Sequence, residues 1–142
     1  MQGHDVLHVL TRRPVVLGAL AQAFVLGGYL AWVETPGSGL LIAGLFGGAV
    51  AGTLVGDVGD GWVYGPLASI GGLVAFGAGY VAYGGYLSWR LGTELLVRSH
   101  VQFVTALSLW GIPAYLILGA VAGGVIAYPA AAVRRRLRAS TS

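Results

Sequence analysis

The sequence predicts an all-α integral membrane protein: four transmembrane helices in two tandem hairpins, with an amphipathic interfacial helix before the last span. Composition is the first reason. The 142 residues are 56% hydrophobic and 9% charged, whereas soluble domains carry about 25% charged residues. The second is a glycine every fourth residue at Gly44, Gly48, Gly52 and Gly56, a spacing that keeps all four near one helical face. In water each interior glycine weakens a helix by roughly 1 kcal/mol relative to alanine. In lipid a bare face lets another backbone approach closely. The third is the arginines, which gather at the two ends of the chain.

Composition also removes several chemistries. There is no cysteine, hence no disulfide, thiolate nucleophile or cysteine-based metal site. A pI near 9.6 invites a nucleic-acid reading, but the eight cationic residues are all arginine and mostly flank apolar runs. That placement suits membrane anchors, so no nucleic-acid partner is expected.

Residues 1–13 form a polar to amphipathic lead. His4 and His8 lie four apart around Asp5, but a metal site would need a third ligand in a fixed frame, so no metal is expected there. Thr11-Arg12-Arg13 before Pro14 resembles a twin-arginine export signal, with Ala21-Gln22-Ala23 in the place of a cleavage site. The apolar run nevertheless continues to Val33, long enough to span, which favours an uncleaved first helix over 15–33 with Pro14 at its start. Its small residues Ala19, Ala23, Gly27 and Ala31 repeat the four-residue spacing. Gln22, the polar side chain near its middle, reads as interhelical hydrogen-bonding glue rather than a substrate contact. Tyr29 and Trp32 mark the far interface. Glu34 to Gly39, with Pro36 and two glycines, is a tight turn into an antiparallel second span over 40–56.

Gly56-Asp57-Val58-Gly59-Asp60-Gly61 follows. Two carboxylates on a glycine-rich loop suit Mg²⁺ or Ca²⁺, but such ions normally take more oxygens, so a solvated turn is the better account. The third span, 66–89, carries Gly65, Ala68, Gly72, Ala75, Gly79 and Ala82 at alternating spacings of three and four, the rhythm of left-handed packing near +20°. Tyr80, Tyr83, Tyr86 and Trp89 crowd its end as an aromatic belt.

Residues 90–110 break the pattern. Glu94, Arg98, Gln102 and Thr105 share one helical stripe; Leu96, Phe103, Leu107 and Trp110 share another, and Glu94 precedes Arg98 in the favourable ion-pair order. One helix over 101–128 would be about 42 Å long against a core of ~30 Å. The preferred reading is an interfacial helix over 93–109 that turns at Trp110–Pro113 into a last span over 112–133; a tilted extension of that span is the alternative. Gly119, Gly123, Ala127 and Ala131 again step by four. Arg134-Arg135-Arg136-Leu137-Arg138 closes the span beside the headgroups.

Two motif pairs suggest an internal duplication: Gly27-Gly28-Tyr29-Leu30-Ala31-Trp32 with Gly84-Gly85-Tyr86-Leu87-Ser88-Trp89, and Gly48-Ala-Val-Ala-Gly52 with Gly119-Ala-Val-Ala-Gly123. A tandem hairpin enters the membrane the same way twice, which implies a pseudo-twofold axis along the membrane normal. Arg12, Arg13, Arg134, Arg135, Arg136 and Arg138 lie at the chain ends and only Arg90 and Arg98 between them. The excess places both termini in the cytoplasm of a multi-pass cell-membrane protein. The Asp57/Asp60 loop then shares a side with the arginine tail, and a contact between them is expected.

Ala43-Gly-Leu-Phe-Gly-Gly-Ala-Val-Ala-Gly52 through Gly56-Asp57-Val-Gly-Asp60-Gly61 resembles small glycine-rich multi-span membrane proteins of halophilic archaea, which are uncharacterised. The resemblance implies an integral membrane protein without assigned activity, and carries over no catalytic residue.

The functional expectation is a non-enzymatic membrane protein that assembles through small-residue helix faces at Gly44, Gly48, Gly52, Gly56, Gly72, Gly79, Gly119 and Gly123. Its partners are the lipid bilayer and a second copy or another membrane protein; no cofactor is expected. The alternative is a small channel or transporter for a neutral solute, because the spans carry no ionisable acid or base for proton coupling. An intramembrane enzyme ranks last: no base stands next to Ser69 or Thr53 in the sequence.

Overall fold

The computed structural model describes residues 12–33 and 37–140, with the side chain of Arg138 outside that description. The expectations for His4, Asp5 and His8 and for the turn residues Glu34 to Pro36 therefore lie outside the described residues. What is described is helical: α1 (Arg13–Trp32), α2 (Gly39–Ile42), α3 (Gly44–Leu54), α4 (Val58–Leu91) and α5 (Leu95–Ser140). Three of these, α1, α4 and α5, are long and apolar enough to cross a membrane; Gly39–Leu54 is a shorter apolar stretch.

Pro14 occupies the first turn of α1, where its missing N–H is not needed, and Val33 ends the helix in an extended conformation. The second expected span is shorter than 40–56 and is broken at Ala43 into α2 and α3. Val55 is already extended, so Gly56 falls outside the helix. The third expected span begins eight residues early, at Val58 rather than residue 66, because Asp57 caps it: its Oδ1 accepts from the Val58 N–H at 2.6 Å. Asp57 is thus a helix cap rather than a free turn carboxylate. Gly92 closes α4 with φ +66°, the left-handed cap conformation that glycine adopts without steric cost.

The expected turn at Trp110–Pro113 is absent. α5 runs unbroken from Leu95 to Ser140 through Pro113 and Pro129, whose rings lie on its exposed face. The expected interfacial helix over 93–109 is therefore the first part of α5. The physical reason is that an apolar stripe is the same signal whether it meets lipid or another helix. Here Leu107 and Phe103 pack into the core with Phe76 and Tyr80 of α4. Trp110, counted in the same stripe, is exposed. Glu94 stands at the N-terminal border of this helix, its carbonyl accepting from the Arg98 N–H at 3.2 Å, but no side-chain ion pair joins the two among the described residues.

Four helical segments are packed together: α1, α2–α3, α4 and α5. The central pair is α3 and α4; α1 and α5 flank it, and make at most marginal contact with one another. These contacts lend the expected twofold along the bundle no support. An axis exchanging α1 with α4 and α3 with α5 would convert the α3–α4 contact into an α1–α5 contact of like extent, and none of that extent is present. The paired motifs differ in surroundings too: Gly27, Gly28 and Gly85 face open space, whereas Gly84 lies against His100. The two Gly-Ala-Val-Ala-Gly segments do meet, Gly48 against Gly119 and Gly52 against Gly123.

α4 and α5 outrun the other helices. Val33 lies level with Phe76 to Tyr83, and Gly37 to Leu41 lie level with Phe103 to Trp110. Residues beyond these levels form an antiparallel hairpin about two turns, or ~12 Å, past the end of α1. The Val97 N–H donates to Ser88 Oγ at 2.8 Å across that hairpin. At the opposite end, Arg12 lies 5.7 Å from the centroid of the Tyr64 ring and Arg134 reaches Val55. The start of α1 and the end of α5 thus share one end of the bundle.

Candidate functional site

Two apolar clusters fill the bundle. Leu26, Leu40, Ala43, Leu73, Phe76, Leu107 and Tyr115 form one; Val15, Ala51, Val55, Tyr64, Ala68 and Ala127 form the other. Polar side chains and glycines occupy the layer between them. Gln22 of α1 and Ser69 of α4 are both fully buried, and Tyr115 of α5 is equally so at the edge of the first cluster.

All three converge on the α2–α3 break. Gln22 Nε2 donates to the Ser69 carbonyl at 2.9 Å, and Gln22 Oε1 accepts from the Gly47 N–H at 3.2 Å. The Ser69 hydroxyl donates to the Gly44 carbonyl at 2.7 Å. The Tyr115 hydroxyl donates to the Leu40 carbonyl. In a continuous α-helix the Gly47 N–H would bond to Ala43, four residues earlier. Here the Ala43 carbonyl instead accepts from Phe46 at 3.1 Å, a tighter 3₁₀-type turn, and Gln22 takes the N–H of Gly47. A break of this kind survives inside an apolar bundle only when side chains satisfy the backbone groups involved. Among the described residues no buried side-chain N or O lacks a partner.

Glycine makes these distances attainable. A Cβ on Gly72 would lie 2.6 Å from Gln22 Cβ, and one on Gly119 would lie 2.5 Å from Ser69 Oγ. A Cβ on Gly44 or Gly47 would strike the Tyr115 ring or Gln22 Oε1. Below this layer, Gly52 and Gly61 each hold their Cβ position 2.5 Å from the Gly123 carbonyl oxygen. Six of the eight glycines read as packing positions are thus in close contact: Gly44, Gly48, Gly52, Gly72, Gly119 and Gly123. The other two make no such contact within this chain. Gly56 lies past the end of α3 and Gly79 on the outer face of α4, and a Cβ on either meets nothing within 4 Å of this chain. Gly65 and Gly61, by contrast, sit directly against Gly119 and Gly123.

A second polar contact seals the far end of α3. Arg134 Nη1 donates to the Val55 carbonyl at 2.5 Å and the Leu54 carbonyl at 3.4 Å, and Nη2 donates to that of Thr53. Carbonyls at a helix C-terminus have no intrahelical partner and carry the negative end of the dipole, so a guanidinium there is doubly favoured. This replaces the expected contact between the arginine tail and Asp57/Asp60: Arg134 turns to backbone, and no ion pair joins either aspartate to Arg134, Arg135 or Arg136 among the described residues. Arg134→Gln is expected to lower bundle stability by on the order of 1–2 kcal/mol, read as a lower thermal midpoint in detergent. Arg134→Lys should restore only part, since a point charge cannot span three carbonyls as a planar fork does.

Two participants carried no distinct sequence signal. Tyr115 sits inside an apolar run. His100, near the projecting hairpin, packs 4.4 Å from the Tyr80 centroid and 6.2 Å from that of Tyr83, over Gly84, with Nδ1 2.7 Å from the Leu96 carbonyl. Tyr80 is thereby drawn inward, while Tyr83, Tyr86 and Trp89 remain exposed. No family model, curated protein or solved structure matches the chain.

Proposed function

We propose that this chain is a non-enzymatic integral membrane protein: a close-packed four-pass bundle that acts by contact with other membrane components rather than by chemistry. The observation that carries this reading is the use of the mid-bundle polar groups. Gln22, Ser69 and Tyr115 spend their hydrogen bonds on backbone of neighbouring helices, so the layer is a tie and not a lining. Large apolar side chains such as Phe24, Val74, Leu109 and Ile117 point outward along the passes, as lipid contact requires. α2–α3 serves as the fourth pass at about 24 Å for its 16 residues. With α1 beginning and α5 ending at one end of the bundle, the arginine excess there supports cytoplasmic termini in a cell membrane. The resemblance to glycine-rich membrane proteins of halophilic archaea points the same way.

The channel or transporter reading has one observation of its own. A helix broken at mid-bundle is the arrangement in which transporters hold solutes. One experiment separates the two. In proteoliposomes, glycerol and urea permeation should equal that of empty vesicles for both wild type and Gln22→Leu. The variant should instead lose about 1–3 kcal/mol of stability, because the Gly47 N–H is left buried without a partner. Solute flux that Gln22→Leu abolishes would establish the second reading in place of the first.

A further inference from the structure

We propose that the end of the bundle where α1 begins and α5 ends binds the phosphate groups of anionic phospholipids through Arg12, Arg13, Arg135 and Arg136. The inference rests on the membrane reading and adds a preference for one class of headgroup.

Three observations lead to it. The first is unneutralised charge. Arg12, Arg13, Arg135 and Arg136 are exposed, and among the described residues neither Asp57 nor Asp60 pairs with any of them. Asp57 is already engaged as the cap of α4. The second is division of labour within the arginine run. Arg134 is spent on the carbonyls that end α3, while Arg135 and Arg136 are exposed. The third is depth. Trp62 and Tyr128, near the start of α4 and the end of α5, are exposed at 48% and 68%, the aromatic positions expected at a membrane border. Arg135 and Arg136 follow Tyr128 by seven and eight residues along α5, about two helical turns.

The occupant follows from geometry. Guanidinium forks match phosphate oxygens in paired N–H···O bonds. α1 and α5 each pack on α3 and α4 but make at most marginal contact with one another. Arg12 and Arg13 at the start of α1 and Arg135 and Arg136 on α5 are thus two separate pairs of exposed guanidinium groups. They suit an array of headgroups around the rim, which an anionic leaflet supplies.

The test measures association of spin-labelled phosphatidylglycerol and phosphatidylcholine with the full chain in vesicles. Phosphatidylglycerol should be favoured about fivefold or more, and high salt should reduce the preference. The variant Arg12→Gln/Arg13→Gln/Arg135→Gln/Arg136→Gln should lose it, while Arg134→Gln should keep it despite lower thermal stability. Equal association of both lipids with wild type, or a preference that survives the fourfold variant, overturns the proposal. So does displacement of the labelled lipid by millimolar inorganic phosphate, which would indicate a small-anion pocket, or tighter binding of a short oligonucleotide than of the lipid. A chain that fails to enter vesicles of either composition overturns the membrane reading itself. Incorporation without headgroup preference overturns only this inference.

Discussion

Gly65→Ala destabilises the bundle, whereas Gly79→Ala leaves its stability unchanged or raises it. Both glycines lie in the interior of α4, so local propensity alone predicts a gain of up to about 1 kcal/mol for each alanine. Tertiary contact reverses the sign at Gly65. A Cβ there falls on the carbonyl oxygen of Gly119, with that residue's carbonyl carbon at 3.0 Å and Gly123 Cα at 3.1 Å. These are backbone atoms of α5 and cannot rotate aside as a side chain would. The helices must separate, which also stretches the Ser69 layer one turn along α4. Overpacking of this kind costs about 1–3 kcal/mol, and Gly65→Val should exceed that range. At Gly79 an added Cβ meets nothing within 4 Å, so the propensity gain stands unopposed. Thermal midpoints in one detergent suffice for the comparison. Equal shifts at the two positions would show that α4 and α5 do not approach as closely as described.

Gly65 and Gly79 also show what a sequence pattern can and cannot disclose. Four-residue spacing in an apolar chain identifies bare helical faces, and Gly44, Gly48, Gly52, Gly119 and Gly123 do lie against neighbouring helices. Spacing says nothing of what stands opposite, so Gly79 belongs to the same rhythm as Gly72 yet faces outward. Gln22 was legible because it is the lone polar residue in the middle of its span. Its partners were not, since they are the N–H of Gly47 and the carbonyl of Ser69, and backbone groups have no signature in a sequence. The break at Ala43 is hidden for a related reason. Alanine is the best helix former, and the interruption comes from a side chain of another helix rather than from any local residue. The arginine run was legible as charge beside a span, but which arginine turns inward depends on where α3 ends. That in turn depends on Val55 becoming extended one residue before Gly56. The continuity of α5 through Pro113 was misread because its apolar stripe suits α4 as well as it suits a membrane surface.

Tyr115→Ala should destabilise the protein more than any other single truncation in the core. The side chain is fully buried, and its ring lies over the bare Cα of Gly44, beside Leu40, Ala43 and Leu73. Large-to-small changes at buried aromatic positions cost about 3–5 kcal/mol. Here the Leu40 carbonyl also loses its donor. Tyr115→Phe separates the two contributions: it keeps the ring and removes the hydroxyl, so about 1–3 kcal/mol should be lost. Gly44 supplies the complementary experiment. A Cβ at that position would overlap the ring, with Tyr115 Cε1 at 3.0 Å and Cγ at 3.1 Å, so Gly44→Ala alone should destabilise. In the Tyr115→Ala background the obstructing ring is gone and alanine is the better helix former, so the same change should become neutral or stabilising. In Tyr115→Phe, where the ring remains, it should stay harmful. A reversal of sign confined to the background without the ring is the signature of direct contact. Additive effects of Gly44→Ala and Tyr115→Ala would mean that α5 does not cover the α2–α3 break. The α2–α3 segment would then lack the tie on which the close-packed, non-conducting reading depends.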